Sequence, residues 1–294
     1  MSASIDIIIC VHNSLDDVRL AVHSTLDTLG DTHRLIIVDD GSDAPTQSYC
    51  REIADAHAGR VRLIRRPEGS GFCKAANHGL RESTAEAVVL LNSDTIVAGD
   101  WLARLQACAE QHAQIGIVGP LSNAASWQSL PYITDKTTGR MATNHVPGDP
   151  ALVAEIHQHC ARWAEGLTSP WVEVVNGFCY YIKRAVLDDV GLFDETRFPQ
   201  GYGEENDLAL RAGNAGYLCA IAIDCFVYHK KSASYSTARR RNLARLGDEE
   251  LARTYGQRRI RDAVLSIQQH PTLHAMRARS EAYLRPLLLG TDEA

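Results

Sequence analysis

Paired cysteines are missing from this 294-residue chain. Its eight cysteines stand singly at positions 10, 50, 73, 108, 160, 179, 219 and 225, and none of them forms a Cys-x-x-Cys pair. This spacing argues against a zinc ribbon and against a disulfide framework. Several of the cysteines lie in apolar strand patterns, where a free thiol behaves as a small hydrophobic side chain. We therefore expect a reduced, cytoplasmic protein.

Long apolar segments and nucleotide fingerprints are also lacking. The longest apolar stretch of the C-terminal half, residues 218–228, is interrupted by Asp224 and is too short to span a bilayer. The N-terminal residues show no basic segment followed by an apolar one, so we expect no secretory signal. No Gly-x-x-x-x-Gly-Lys-Ser/Thr motif occurs, and Lys74 stands where a dinucleotide fingerprint needs its third glycine. These absences disfavour an ATPase and a Rossmann dehydrogenase.

Neither charge nor hydrophobicity is extreme. Hydrophobic residues make up 45% of the chain and charged residues 22%, which is ordinary for a soluble globular protein. The formal net charge of −6 gives no reason to expect a nucleic acid partner. At this length the chain can bury a substantial core, either as one domain or as one domain with an extension.

Apolar strands alternate with helical patterns over the first 120 residues. Buried strands are predicted at about 5–10, 35–38, 61–64, 87–91 and 115–118, with amphipathic helices between them. Because these strands are apolar throughout, we predict an α/β fold with a mostly parallel sheet covered by helices on both faces. Residues 121–150 are predicted to form an irregular loop, and the chain from Ser236 onward is predicted to be helical.

Polar loops follow three of the predicted strands and carry Asn13, Asp40 and Asp94. Ligands of parallel sheets bind beyond the carboxyl ends of the strands, so we expect these loops to converge. An Asp such as Asp40 at a strand end can accept hydrogen bonds from a base or ribose, although Asp-Gly is also a strong turn dipeptide. The carboxylate of Asp94 suits a divalent cation, although Asn-Ser-Asp is also a common turn.

Two further segments carry ionisable groups. Three acids, Glu204, Glu205 and Asp207, begin a predicted helix after two glycines. They are suited to capping the helix dipole, but one carboxylate held among others can keep a raised pKa and act as a general base. His229 follows an apolar strand and can ligate a metal; the alternative is a surface histidine beside two lysines.

Taken together and in this order, these segments resemble an inverting family 2 glycosyltransferase with the GT-A fold. The likeness runs from residue 5 to about residue 236. It rests on segments 7–13, 38–42, 75–79, 91–94, 190–195 with 203–207, and 228–229 with Ser232 and Ser234. Asn92 replaces the first acid of the metal-binding Asp-x-Asp motif, and Glu205 stands where the family often has Asp.

The resemblance implies a nucleotide-diphosphate sugar donor, either a UDP-sugar or a dTDP-sugar, and a glycan or lipid-linked glycan acceptor. It implies Mn²⁺ or Mg²⁺ held by Asp94 and His229, with Lys230 or Lys231 neutralising phosphate charge. The implied nucleotide-binding residues are Val11, Asn13, Asp40, Gly41, Asn77, Asn92 and Ser93, with Asp40 on the base. The implied catalytic acids are Glu204, Glu205 and Asp207, of which Glu205 is preferred as the base. The implied acceptor and sugar pocket contains Trp127, Gln128, Gly177 and Phe178.

The resemblance also predicts how the chain is divided. We expect a glycosyltransferase domain over residues 1–236, with a nucleotide-binding half (1–120) and an acceptor-side half (121–236), followed by a helical appendage over 237–294. The appendage is rich in arginine, which suits either an anionic membrane surface and a lipid-linked acceptor or a solvated helix face paired with Asp248, Glu249 and Glu250. The likeness favours rhamnosyl or hexosyl transfer in bacterial cell-surface polysaccharide assembly, at the inner face of the membrane.

Two other functions are compatible with the same sheet. A sugar nucleotidyltransferase would need a Gly-rich, Arg-containing loop after the first strand, where this chain has Val11-His12-Asn13-Ser14. A catalytically silent glycan-binding or scaffold protein would have lost the acidic motif, whereas Asp94 and Glu205 are both present.

Overall fold

An eight-stranded mixed sheet forms the centre of the protein. The computed structural model describes residues 3–135, 139, 141–231 and 237–289. The strands are β1 (Ile5–Val11), β2 (Arg34–Asp40), β3 (Val61–Arg66), β4 (Ala87–Asn92), β5 (Thr95–Ile96), β6 (Ile115–Leu121), β7 (Trp171–Val172), β8 (Cys179–Lys183), β9 (Leu218–Phe226) and β10 (Tyr228–His229). The helices are α1 (Leu15–Asp27), α2 (Ala44–Ala56), α3 (Phe72–Glu82), α4 (Trp101–Glu110), α5 (Pro150–Trp163), α6 (Arg184–Val190), α7 (Glu204–Asn214), α8 (Thr237–Tyr255), α9 (Gln257–Gln268) and α10 (Pro271–Leu289).

Most strands of the large sheet run in one direction. The order across it is β3-β2-β1-β4-β8-β6-β9-β7. Parallel pairs join β1 to β2 and β4, β2 to β3, and β6 to β9. Strand β8 is antiparallel to both β4 and β6, and β7 is antiparallel to β9. The predicted α/β fold with a mostly parallel sheet is confirmed.

Strand β8 is the main element that the sequence pattern does not predict. It lies between β4 and β6, and because it runs against them its first residue lies at the carboxyl edge of its neighbours. The backbone N–H of Asn92, at the end of β4, donates to the carbonyl of Phe178 (2.8 Å). This reversal brings the residues just before β8 to the edge where the site was predicted.

Helices cover both faces of the sheet. Successive side chains of a strand point to opposite faces, and β1 follows this rule. Ile7 and Ile9 pack in a buried cluster with α1 and α4, whereas Ile8 packs in a second cluster with α3, α5 and α7. All three are fully buried, and each such side chain contributes about 1.5–3 kcal/mol relative to an exposed one.

The C-terminal helices pack onto this body. α8 contacts α7, α9 contacts β7 and the 3-10 turn Ser126–Gln128, and α10 contacts α5. The predicted helical character of the tail is confirmed over residues 237–289. The predicted boundary at residue 236 lies outside the described residues, as do Ser232 and Ser234. Across the described ranges no helix combines the length and hydrophobicity that a membrane span requires.

All eight cysteines are unpaired, and seven of them are buried. Burial raises the pKa of the Cys108 thiol to about 11, which keeps it protonated and unreactive at neutral pH. The thiols thus serve as small core side chains, as their positions in apolar strand patterns predict.

Candidate active site

The loops after β1 and β2 are tied together at the carboxyl edge of the sheet. The backbone N–H of Asn13 donates to the hydroxyl oxygen of Ser42 (3.0 Å), and the Asn13 side-chain oxygen accepts from the backbone N–H of Asp43 (2.7 Å). A Cβ added to Gly41 would lie 2.4 Å from the backbone nitrogen of Gly69. Asn13 and Gly41, both predicted to bind nucleotide, therefore hold three loops in close contact.

Asp40 orders the third of these loops. Its carboxylate accepts from the backbone N–H groups of Ser70 (2.9 Å) and Gly71 (3.0 Å), from the Ser70 hydroxyl (2.9 Å) and from Nε of Arg66 (3.1 Å). Each carboxylate oxygen therefore has two protein donors, and the contact of Asp40 with a base stays a prediction. The Asp40 carboxylate stabilises the wall of an open cleft of about 470 Å³. The cleft is lined by Arg65, Arg66, Pro67, Glu68, Gly69, Ser70 and His78.

Asn77 also has a different environment from the one predicted. Its side-chain NH₂ donates to the carbonyl of Phe193 (2.9 Å) and to Oε1 of Glu195 (2.8 Å), and its oxygen accepts from the Phe193 N–H (3.1 Å). The residue is 1% exposed. In this structure Asn77 fastens α3 to the loop after α6, and its contact with nucleotide stays a prediction.

The predicted metal ligands Asp94 and His229 lie side by side. Nε2 of His229 is 3.4 Å from Oδ1 of Asp94. The other ring nitrogen, Nδ1, is 2.9 Å from the carbonyl oxygen of Ala124. Because a carbonyl oxygen only accepts, Nδ1 carries a hydrogen, and Nε2 is the ring nitrogen that faces Asp94. This is the orientation of a metal-ligating histidine with a carbonyl in its outer shell.

Local pairing explains why these two residues meet. Strands β5 and β10 form an antiparallel ribbon in which His229 is opposite Thr95, the residue after Asp94. Asn123 fixes the other side of His229: its oxygen accepts from the His229 N–H (2.9 Å) and its NH₂ donates to the His229 carbonyl (3.0 Å). The ring of Phe178 stacks on the imidazole, with centroids 5.1 Å apart.

The pair fits a hard divalent cation. Within the described part of the chain no group of three or more His, Cys, Asp or Glu side chains is arranged to hold a metal. A site with two protein ligands is nevertheless what Mg²⁺ and similar ions use when substrate phosphates and water supply the remaining ligands. The tautomer of His229 and its distance from Asp94 are both suited to such a shared site.

Four neighbouring residues that were predicted to contact nucleotide or phosphate have the following environments in the structure. The side chain of Val11 is buried in the core, so it can contribute only backbone atoms. Asn92 and Ser93 are half-buried in the turn before Asp94. Lys230 is already paired, with its Nζ 2.5 Å from Oδ1 of Asp17 on α1.

Glu204 and Glu205 form a pair of carboxyl groups at the start of α7. The two carboxyl groups are close enough for each to affect the pKa of the other. Glu204 is 6% exposed, and its Oε2 has no hydrogen-bond partner. Burial, and then the charge of Glu205, raises the pKa of Glu204 well above its ordinary value. Burial also raises the pKa of Glu205. Two carboxylates so close cannot both ionise readily, so the pair retains a proton.

Asp207 is held quite differently, although it is three residues from Glu204. It is fully buried, and its carboxylate binds Arg197 (2.8 Å), Arg211 (2.8 Å) and the hydroxyl of Tyr255 (2.7 Å). These contacts hold α7 in place, and the catalytic role of Asp207 stays a prediction.

Gly177 and Phe178 connect the two acidic sites. A Cβ added to Gly177 would lie 3.1 Å from Cγ of Glu205, so the Glu205 side chain rests directly on the Gly177 backbone. The next residue, Phe178, stacks on His229. Because consecutive Cα atoms are about 3.8 Å apart, the Asp94–His229 pair and the Glu204–Glu205 pair lie on either side of one dipeptide, residues 177–178. Phe178 itself is 2% exposed and supports His229 from behind.

The pocket residues Trp127 and Gln128 lie in the 3-10 turn after β6. The NH₂ of Gln128 donates to the carbonyl of Pro120 (2.7 Å), and its oxygen accepts from the N–H of Asn176 (2.6 Å). Gln128 is 2% exposed and links these two backbone segments, and its contact with a sugar stays a prediction. Trp127 is half-buried, packs on the core, and its carbonyl accepts from Arg277 of α10.

Sequence reasoning does not identify most of the contacts that position the site. Asn123, Tyr255 and Arg197 bind site residues that are distant in the sequence, whereas Arg211 lies one helical turn from Asp207. Only the i,i+4 spacing of Asp207 and Arg211 is a local signal for any of these contacts.

The sequence and the fold of this chain are similar to those of known proteins. Residues 6–136 match the family model for glycosyl transferase family 2. The chain is 28% identical over 239 residues to an uncharacterized protein of Sinorhizobium fredii, covering 78% of this chain and 25% of that protein. It is 27% identical over 212 residues to the pre-mycofactocin glycosyltransferase of Mycobacterium tuberculosis, covering 72% and 39%. The chain thus spans well under half the length of these relatives.

Two solved structures share the fold. A mannosyltransferase from Pyrobaculum calidifontis, in complex with GDP-Man and Mn²⁺, superposes with a TM-score of 0.64 at 17% identity, covering 99% of this chain and 80% of that one. GalNAc-T7 with UDP, GalNAc and Mn²⁺ superposes with a TM-score of 0.59 at 15% identity, covering 95% and 55%. The fold is therefore GT-A-like, and the family match supports a glycosyltransferase of family 2.

Proposed function

We propose that this chain is a metal-dependent, inverting glycosyltransferase that moves a sugar from a nucleotide-diphosphate donor to a hydroxyl group of a glycan. The proposal rests on one dipeptide that contacts both sites: Phe178 stacks on His229, and Gly177 lies against Glu205. Such closeness suits a reaction in which a diphosphate leaves one side of a carbon while a hydroxyl attacks the other.

The donor would bind along the carboxyl edge, with its nucleotide in the cleft beside the Asp40 loop. Asp94 and His229 would hold Mn²⁺ or Mg²⁺; both structural neighbours were solved with Mn²⁺. When bound, the ion would supply Lewis-acid stabilisation to the departing diphosphate. The sequence favours UDP or dTDP as the nucleotide, and the Pyrobaculum complex with GDP-Man makes GDP the third candidate.

Glu205 is our choice of general base. Glu204 is the more buried of the two and has an unpartnered oxygen, so it keeps the proton of the pair. Glu205 is then the anionic member, and its side chain borders Gly177. Its carboxylate takes the proton from the acceptor hydroxyl, the hydroxyl oxygen bonds to the anomeric carbon, and the bond to the diphosphate breaks. The nucleoside diphosphate leaves with the electron pair, and the configuration is inverted.

The acceptor we favour is a glycan or lipid-linked glycan of a bacterial cell surface, with rhamnosyl or hexosyl transfer. The C-terminal arginines give little support to direct membrane contact, because many are paired with carboxylates. The pairs are Arg245 with Glu249, Arg253 with Glu250, Arg258 with Asp262, and Arg259 with Glu173. Arg239 and Arg240 lie outside the described side chains. We therefore propose a cytoplasmic enzyme that meets the membrane through its acceptor.

A thermal-shift panel of UDP, dTDP and GDP, each with Mn²⁺ and with EDTA, tests the donor site. A ligand of the native state raises apparent stability in proportion to the logarithm of its concentration over its dissociation constant. We expect one nucleotide to raise Tm with Mn²⁺ and to lose the effect with EDTA. Glu205→Gln should retain that shift while losing turnover of the matching nucleotide sugar. No shift with any nucleotide would favour a silent scaffold.

A further inference from the structure

The three residues before Glu204 have an unusual backbone conformation. Gly201, Tyr202 and Gly203 have φ values of 88°, 69° and 122°, all in the left-handed region. That region is open to glycine but costly for a bulky residue such as tyrosine. Strained backbone of this kind persists only where the surrounding structure over-determines it. The loop that carries the carboxyl pair into α7 must therefore be held from outside.

Helix α8 supplies the contact that holds it. A Cβ added to Gly247 would lie only 1.8 Å from the carbonyl oxygen of Tyr202, so the α8 backbone rests directly on that oxygen. Leu251 is 2% exposed, and its Cδ1 would lie 3.4 Å from a Cβ on Gly203. The hydroxyl of Tyr255 donates to Oδ1 of Asp207 (2.7 Å).

The spacing of these contacts is regular. Gly247, Leu251 and Tyr255 are four residues apart, so they share one face of α8. They meet, in order, the strained loop, the glycine before α7 and the first turn of α7. We name this face the α8 clamp. Because α8 lies in the predicted appendage, the helical tail is physically part of the carboxyl site.

We infer that the α8 clamp, through Gly247, positions the Glu204–Glu205 pair for proton abstraction. This inference rests on the proposed function, because it assumes that Glu205 is the base. Gly247 is a positioning residue: it touches the loop that presents the base and does not touch the base. Only glycine permits that contact, since any side chain would have to displace the Tyr202 carbonyl and with it the N-terminus of α7.

Gly247→Ala tests the clamp, with Gly213→Ala as its matched control. Gly213 is also a helical glycine, in α7 itself, but its added Cβ would meet only the end of the Arg259 side chain, at 3.7 Å. The readout is nucleotide release when water replaces the acceptor, using the UDP-, dTDP- or GDP-hexose that the nucleotide panel selects. A displacement of about 1 Å at a catalytic group can cost roughly 10²-fold in rate.

We expect Gly247→Ala to lower kcat by about that factor, with an unchanged KM for the nucleotide sugar and an unchanged Mn²⁺-dependent nucleotide shift. Gly213→Ala should keep the wild-type kcat. Tyr255→Phe, which removes one hydroxyl, should lower kcat to a smaller degree and also leave KM unchanged. If Gly247→Ala misfolds and so loses the nucleotide shift, the kcat of Tyr255→Phe becomes the test of the α8 clamp.

Equal kcat values for Gly247→Ala and Gly213→Ala would overturn the clamp. If Gly247→Ala misfolds, a wild-type kcat in the Tyr255→Phe variant would also overturn it. Glu205→Gln separates this failure from that of the proposed function. If Glu205→Gln is inactive while Gly247→Ala is fully active, only the clamp is wrong; if Glu205→Gln is fully active, the proposed base is wrong.

Discussion

Nε2 of His229 lies 3.4 Å from Oδ1 of Asp94, with the imidazole hydrogen committed to a carbonyl on the opposite side of the ring. We predict that Asp94→Asn abolishes the Mn²⁺-dependent thermal shift produced by the cognate nucleotide. At one hundred times the dissociation constant such a ligand contributes about 2.7 kcal/mol. In a protein of this size that is a shift of roughly 4 °C, which differential scanning fluorimetry resolves easily.

Asp16→Asn is the control for Asp94→Asn. Asp16 is an acid whose side chain is 95% exposed on α1, so its loss changes the net charge equally without touching the edge of the sheet. Its nucleotide shift should equal that of the wild type. A full Mn²⁺-dependent shift in Asp94→Asn would mean that the cation is held elsewhere.

The carboxyl pair gives the protein a pH-dependent stability. Burial raises the pKa of Glu204 in the folded state, so the folded protein binds this proton more tightly than the unfolded chain does. The resulting stability is complete below the unfolded pKa and is lost as pH rises through the folded pKa. Glu204→Gln cannot lose a proton, so it should be more stable than the wild type at pH 8, and this advantage should shrink toward pH 4.5.

Urea unfolding at several pH values measures this difference. One pKa unit corresponds to about 1.4 kcal/mol, so an advantage on the order of 1 kcal/mol is the expected scale at pH 8. Glu82→Gln, a change at a half-exposed acid of α3, should show no comparable trend. An advantage of Glu204→Gln that stays constant between pH 4.5 and 8 would argue that the buried carboxyl does not titrate in this range.

The sequence predicts the fold more reliably than it predicts the site. Strands such as β1 and β4 are apolar and separated by amphipathic helices, and that periodicity is local. Strand β8 is short and antiparallel to its neighbours, so the alternation of strands and helices does not predict it. For site residues, likeness to a motif marks a position but not the direction of its side chain. Asn77 and Gln128 both occupy motif positions, yet both side chains are buried and form hydrogen bonds with backbone groups that are distant in the sequence.

We expect Asp207 to contribute mainly to the free energy of unfolding rather than directly to catalysis. Asp207→Asn would remove the charge that Arg197 and Arg211 share inside the protein. Breaking a buried ion pair costs about 3–5 kcal/mol, and because both arginines are partly exposed we expect about 2–4 kcal/mol, read from urea unfolding. Asp194→Asn, at a partly exposed partner of Arg197, should cost under about 1 kcal/mol. Wild-type stability combined with lost turnover in Asp207→Asn would instead indicate a direct catalytic role.

Substitution of Asn123 tests how the Asp94–His229 pair is positioned. Its side chain accepts from the His229 N–H and donates to the His229 carbonyl, so it fixes the backbone of a residue that contacts Asp94 only through its ring. Changes of outer-shell partners typically reduce metal affinity by about 10–100-fold. We predict a loss of that size in Asn123→Ala, measured by Mn²⁺ titration with the nucleotide present.

Asn144→Ala is a graded control for Asn123→Ala. The Asn144 NH₂ donates to the Asn123 carbonyl (2.9 Å), so its removal loosens the same loop without taking a bond from His229. If the two variants lose Mn²⁺ affinity equally, loop order alone sets the affinity. A loss confined to Asn123→Ala would mean that Mn²⁺ affinity depends on the hydrogen bonds of the Asn123 side chain, two of which fix the backbone of His229.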